Sequence, residues 1–319
     1  ASTRVVLPAL EEFPDRPRGE IEPLIRSLSL SNGLRTQLLK QLPDPYTYSD
    51  LFQLIDHFRL NCPQIAERKA LKQLLETVDD YYDMHFAPET QLSERVLAPV
   101  LDHESRGLED ARFVRFTETH GQMTYYATYT ANGQQSQNRL LQTDDFLQFR
   151  SSLLDVPSAS QLALFPRRIR GHYALLCQVD RFHQCLFYAD RLTRWQHPIL
   201  LQEPREYWEL SALGNCGVPL ETPQGWLVIT HGEGPLGISA LSACLLDHDE
   251  PSRMLARLRE PLPIAALGAR PGAQLGDISS SGSLIHQGKI LIPYALRYQA
   301  GGLLVIDLAS LLARMEPEA

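Results

Sequence analysis

The residues that could do chemistry here are carboxylates at the ends of apolar strands, with a histidine and cations near them. Four stretches share one phrase: ARFVRFTETHGQMTYYATYTA, LALFPRRIRGHYALLCQVD, GNCGVPLETPQGWLVITHGEGPLGISALSACLLDHDEP and GSLIHQGKILIPYALRY. Each runs as an apolar strand, a polar turn with Gly (Gly121, Gly171, Gly225, Gly288) and a second apolar strand. A third strand then closes on Asp144 or Asp145, Asp190, Asp247 and Asp307. In an antiparallel hairpin the start of the first strand and the end of the second share a rim. Counting outward from each turn sets Ala111 opposite Thr130, which brings Asp110 to the rim. The same count sets Gln161 opposite Asp180, Asn215 opposite Glu233 with His231 one step in, and Asp277 opposite Arg297. A one-residue slip would turn each side chain to the other face.

If the four rims converge, Asp110, Asp180, His231, Glu233 and Arg297 line one funnel. Such a funnel suits glycosidic-bond cleavage. One protonated acid delivers a proton to the leaving oxygen, and a second carboxylate, roughly 6.5–9.5 Å away in an inverting enzyme, activates water. Other readings stand beside this one. Asp110, with Glu109 before it and Arg112 after it, also reads as part of an ion pair at a strand corner. Asp180 also reads as a turn cap, and Glu221, opening ETPQG, as a turn anchor. His231 also reads as a satisfied buried histidine. Glu233 is flanked by Gly on both sides, which costs backbone entropy with no evident packing return. No HExxH and no cysteine cluster is present, so no metal or other cofactor is expected. GEGPLG matches neither a dinucleotide nor a P-loop fingerprint.

The elements that must position these residues follow from the period of the repeat. The turn glycines recur at roughly 50–60 residues, the length of a propeller blade. Short strands with turn signals at that spacing favour an all-β propeller over a sandwich. Four repeats are complete, and the strand-like stretch at 84–101 reads as a partial fifth blade. Residues 1–18 read as an extended arm, and about 19–80 as helices, with Asn32 and Ser49 or Asp50 as caps. The expected division is therefore an arm and helical segment over 1–83 and a propeller over 84–319, ending in a short helix at LLARMEPEA.

Net charge is -8 with no dense Lys/Arg run, which speaks against nucleic acid as a partner. No apolar run approaches a membrane span, and ASTRVVLPALEEF lacks the layout of a signal peptide. Cys62, Cys177, Cys185, Cys216 and Cys244 are odd in number and widely spaced, so reduced thiols and a cytoplasmic home are expected.

GLEDARFVRF, LQTDDFLQF, ALFPRRIRGHYALL, GNCGVPLETPQGWLVITHGEGP and ACLLDHDEPSRMLARLREPL resemble family 130 of the glycoside hydrolases, the β-mannoside phosphorylases and β-mannosidases. The resemblance covers about 84–310, and the N-terminal segment resembles the helical extension of the longer members. It implies a five-bladed propeller with an axial active site and an inverting mechanism. The Asp of the family's E-D-x-R motif falls on Asp110, the implied general acid. The family's Glu before the G-W-L strand falls on Glu221, and its His after that strand on His231. Where long members carry N-K-G-M, this chain has Ala159-Ser160-Gln161-Leu162, and a usual Arg is Gln178. Phosphate needs clustered cationic donors, and two are neutral here. The expected activity is therefore hydrolysis of a β-mannoside or related oligosaccharide, with inorganic phosphate not expected as a partner. Asp110 is the acid and Glu233, Asp180 or Glu221 the base. Arg112, Asp180, His231, Asn215 and Arg297 bind substrate. The alternative is a propeller that binds a carbohydrate or protein in the same funnel without catalysis.

Overall fold

The computed structural model describes residues 18–46, 48–79, 82–99, 101–235, 239–262, 278–296 and 300–318. The chain divides into two compact units, 1–97 with 145–152, and 98–144 with 153–319.

The first unit is helical: α1 (Arg18–Ser27), α2 (Asn32–Gln41), α3 (Tyr48–Asn61) and α4 (Ile65–Asp79). Ile21, Ile25, Leu38, Leu42, Leu51, Ile55, Leu71 and Leu74 form its core. Ser31 caps α2, accepting from the Leu34 N–H, so the cap lies one residue before the expected Asn32. Ser49 and Asp50 fall inside the first turn of α3 rather than before it. Strand β1 (Tyr82–His85) pairs with β5 (Gln148–Leu153), which returns from later in the chain. Past β1 the stretch expected as a partial blade carries a short 3-10 turn at Leu92–Glu94 and irregular backbone.

The second unit is a propeller-like arrangement of four blades, and a fifth is not present among the described residues. The first blade is β2 (Gly107–Thr117), β3 (Met123–Asn132) and β4 (Gln137–Thr143). The second is β6 (Ser160–Leu164), β7 (Tyr173–Gln178), β8 (Gln184–Ala189) and β9 (Ile199–Gln202). In the third, β10 (Ala212–Asn215) and β11 (Leu220–Thr222) both pair with β12 (Gly225–Glu233), followed by β13 (Ser239–Leu246) and β14 (Met254–Arg257). In the fourth, β15 (Ile278–Ser279) and β16 (Leu284–His286) both pair with β17 (Lys289–Leu296), followed by β18 (Ala300–Asp307). After α5 (Leu308–Ala313) the chain adds β19 (Glu316–Pro317) to the edge of the third blade, where the sequence suggested only a terminal helix.

The apolar runs of β7 and β12 are continuous because these inner strands bury both faces, and successive side chains point opposite ways. In β7, Tyr173, Leu175 and Cys177 pack with Val114, Phe116 and Tyr126 of the first blade. Ala174 and Leu176, on its other face, pack with Trp226 and Val228 of the third. In β12, Leu227 and Ile229 turn to Ile290, Ile292 and Tyr294 of the fourth. Blades therefore stack face on face, each core shared by two neighbours. All four turn glycines take positive φ: 85° at Gly121, 88° at Gly171, 142° at Gly225 and 72° at Gly288. An L side chain is disfavoured at such angles, which explains the recurrence of Gly. All five cysteines are buried and free.

The rim register differs from a straight count outward from the turns. A bulge sits between Glu109 and Arg112, so that Glu109 opposes Thr130 and Arg112 opposes Thr128. A second sits between Ser160 and Ala163, with Ser160 opposite Gln178. In the third blade the break at 216–219 shifts the pairing further: Asn215 opposes Thr230 and Ala212 opposes Glu233. Counting assumes an unbroken ladder, and bulges add residues to one strand only.

Candidate active site

Asp110 and Gln161 occupy the same place in successive blades, each on the bulge of a first strand. Their φ angles are 54° and 52°, in the left-handed region. Such a backbone costs a residue with a side chain on the order of 1–3 kcal/mol, and sites of this kind collect where function demands them. The bulge at Asp110 aims its carboxylate at Arg112, whose Nε donates to Asp110 Oδ1 at 3.0 Å. Arg112 is only 4% exposed. Its Nη1 also donates to the Asn215 backbone oxygen at 2.9 Å, to the Asn215 side-chain oxygen, and to the Gln161 backbone oxygen at 3.4 Å. Asn215 is spent on this framework: its N–H donates to Gln161 Oε1 at 3.1 Å and its Nδ2 to Gln161 O at 2.8 Å. Three blades are thus tied together around one arginine, and the carboxylate of Asp110 is held at their junction.

His231 lies across the ladder from Gly214. A Cβ at Gly214 would stand 2.8 Å from His231 Cε1 and closer still to Gln161 Oε1, so only Gly lets both side chains converge there. Among the described residues no protein group hydrogen-bonds the His231 ring, and it is partly buried. Burial first, then the Arg112 guanidinium, pushes its pKa below the ordinary value, while Glu233 and Asp110 oppose the shift. The ring is therefore neutral at neutral pH, with both nitrogens free for a ligand.

Glu233 ends β12. Arg181, in the turn between β7 and β8, donates to Glu233 Oε2 at 2.8 Å, and the other carboxylate oxygen has no partner among the described residues. The glycines beside Glu233 do have a packing role. A Cβ at Gly232 would meet the Trp208 carbonyl at 2.6 Å, and one at Gly234 the Tyr207 carbonyl at 2.7 Å. The 3-10 turn Tyr207–Glu209 lies against them, clamped by the buried Glu209–Arg257 pair at 2.6 Å.

The remaining candidates lie elsewhere or are otherwise engaged. Asp180 is at the rim, but Oδ1 accepts from the Phe182 and His183 N–H groups and Oδ2 contacts His183 Nδ1 at 2.7 Å. These bonds, that to the His183 side chain foremost, hold its carboxyl below the usual range. Glu221 is not with the others. It opposes Trp226 at the start of β12, whereas Glu233 ends that strand. Seven residues of strand put about 23 Å between those positions. At that far end Glu221 Oε1 takes Arg167 at 2.7 Å and His248 Nε2 at 2.7 Å. Burial raises its pKa, but these partners outweigh it and the net shift is downward. Arg297 and Asp277 lie outside the described residues. The sequence reading missed Arg181. Its signal was weak: a lone Arg in a polar turn directly after Asp180.

The two neutral positions Ser160 and Gln178 face each other: Ser160 Oγ donates to Gln178 Oε1 at 3.3 Å. Gln178 Nε2 in turn donates to the Leu213 oxygen at 2.7 Å and the Arg181 oxygen at 3.3 Å. They bind blade to blade and offer no charge.

A family profile described as beta-1,4-mannooligosaccharide phosphorylase matches residues 67–294, including every part of this cluster. The 1,2-beta-oligomannan phosphorylase of Thermoanaerobacter sp. (strain X514) is 29% identical over 213 residues, 64% of this chain and 69% of the relative. The beta-1,2-mannobiose phosphorylase of Listeria innocua is 26% identical over 62% of this chain, which spans only 57% of that relative's length. The solved Listeria innocua beta-1,2-mannobiose phosphorylase superposes with TM-score 0.59 at 21% identity, over 68% of this chain and 63% of its own. Another solved relative was reported with the finding that this family of mannoside phosphorylases contains glycoside hydrolases targeting beta-1,2 mannosidic linkages in Candida mannan. It superposes with TM-score 0.51 at 16% identity, over 65% of this chain and 67% of its own. The match of the profile across most of the propeller places the chain: it belongs to glycoside hydrolase family 130.

Proposed function

We propose that the rim cluster cleaves β-mannosides by hydrolysis with inversion. One observation carries this reading. Among the described residues, Asp110 and Glu233 are the rim carboxylates that each keep one oxygen unpartnered while an arginine holds the other. Asp110 protonates the leaving glycosidic oxygen as the bond to C1 breaks. Glu233 accepts a proton from the water that attacks C1 from the opposite face. Arg112 positions Asp110, and the neutral His231 hydrogen-bonds sugar hydroxyls. An inverting hydrolase needs such a pair, with room for water between its members.

Water is the acceptor in this reading because Ser160 and Gln178 bring no charge for phosphate, and Arg181 is already neutralised by Glu233. Burying a phosphate without cationic partners is costly. Phosphorolysis is the second reading, favoured by the activities of the curated relatives. Incubating the protein with β-1,2- and β-1,4-mannobiose, with and without phosphate, separates the two. Hydrolysis gives mannose at one rate in both buffers. Mannose 1-phosphate formed only with phosphate supports the second reading, and no cleavage of either sugar leaves a binding role.

A further inference from the structure

We infer that Arg181 sets the acceptor at this site: paired with Glu233 it steadies a carboxylate that serves water, and freed from Glu233 it becomes a site for inorganic phosphate. The inference rests on the reading of Glu233 as the base.

The position of Arg181 is built. Its carbonyl oxygen accepts from the Leu213 N–H at 2.8 Å and from Gln178 Nε2 at 3.3 Å. Gln178 thus pins the backbone that delivers a cation three residues later. The guanidinium crosses from the second blade to the third and reaches Glu233 Oε2 at 2.8 Å. It carries the planar fork of donors that fits a carboxylate and a phosphate alike, so the two anions compete for it. The pair is not locked away: the Arg181 side chain is 69% exposed and that of Glu233 is 31% exposed. Ion pairs in such surroundings are held weakly. The neighbouring cation, Arg112, is buried and already bonded to Asp110, Asn215 and Gln161, and His231 is neutral. Among the described residues Arg181 is therefore the cation at this rim that a change of partner can release.

The chemistry balances in both states. With Glu233 ionised, a water oxygen bonds to C1, Glu233 takes the proton, the glycosidic bond breaks, and Asp110 protonates the leaving oxygen. With residue 233 neutral, no base remains for water. A phosphate oxygen on Arg181, already anionic, bonds to C1 without one, and Asp110 again supplies the leaving-group proton. The product is then a sugar 1-phosphate.

The test titrates inorganic phosphate by calorimetry into the wild type, Glu233→Gln, Arg181→Met and the double variant, each checked for a native thermal transition. Glu233→Gln is expected to bind phosphate at least tenfold more tightly than the wild type, and the double variant to lose that gain. Equal affinity of Glu233→Gln and wild type, or a gain that survives in the double variant, overturns the proposal. These titrations read without turnover, so an enzyme inactive on mannosides would sink the functional reading and leave this one decided on its own terms.

Discussion

Arg112 Nε stands 3.0 Å from Asp110 Oδ1, and the two side chains differ sharply in exposure, 4% against 34%. The cation is a fixed part of the interior and the carboxylate opens to the rim. Removing each should therefore do opposite things. Asp110→Asn keeps an acceptor for Arg112 and tolerates the left-handed backbone. It is expected to lower mannosidase turnover by about 10²–10⁴-fold, the range for general acid catalysis, with little change in melting temperature. Turnover equal to the wild type would assign Asp110 to structure alone.

Arg112→Leu is the converse. It leaves the Asn215 oxygens and Asp110 without their donor in a buried setting. Leaving buried acceptors such as the Asn215 oxygens without a donor costs about 1–3 kcal/mol. Urea unfolding should show a fall of that order in the midpoint stability, well beyond that of Asp110→Asn.

Gly214→Ala puts a methyl group where Gln161 and His231 meet. Overpacking a tight site costs about 1–3 kcal/mol. Because the groups displaced belong to the rim, activity should fall as well as stability. A variant as stable and as active as the wild type would show that the convergence at Gly214 has no role.

His231 gives a pH signature. Its pKa is below the ordinary 6.5, chiefly from burial. The unfolded chain then binds the proton more readily than the folded one, so this group's contribution to stability is present above about pH 6.5 and falls as pH drops toward the folded value. Imidazole NMR should place its midpoint below 6.5 in the wild type. A midpoint at or above 6.5 would contradict the burial of the ring.

Asp247 titrates lower still. Arg253 first, then the Glu250 and Asp249 N–H groups, bring it from 3.8 to about 2. A depressed carboxyl stabilises above its unfolded value and loses that contribution as pH falls through the folded one. The melting-temperature gap between wild type and Asp247→Asn should be constant above pH 4 and close between about pH 4 and pH 2.

Much of this architecture was legible in the chain because it depends on local rules. The turn glycines could be found because positive φ selects Gly. The closing aspartates Asp247 and Asp307 could be found because such a residue accepts from N–H groups just ahead, here from Asp249 and Glu250 and from Ser310. Asp110 and His231 followed from strand ends and motif. The register did not, because a bulge at Asp110 or a break after Asn215 leaves the apolar pattern nearly unchanged. Nor could the sequence say which carboxylates were free. Asp180 satisfies its turn with both oxygens, and Glu221 sits at the wrong end of β12. Arg181 gains its meaning only from Glu233, 52 residues away in the next blade.

The central claim is that Asp110 and Glu233 act on opposite faces of the sugar with water between them. Its most direct test is proton NMR of the cleavage of an aryl β-mannoside, whose leaving group is not itself mannose, in phosphate buffer, read before mutarotation. The account predicts α-mannose as the first product, no sugar phosphate, and a rate independent of phosphate. First appearance of β-mannose, or a mannose 1-phosphate signal that grows with phosphate concentration, would contradict it.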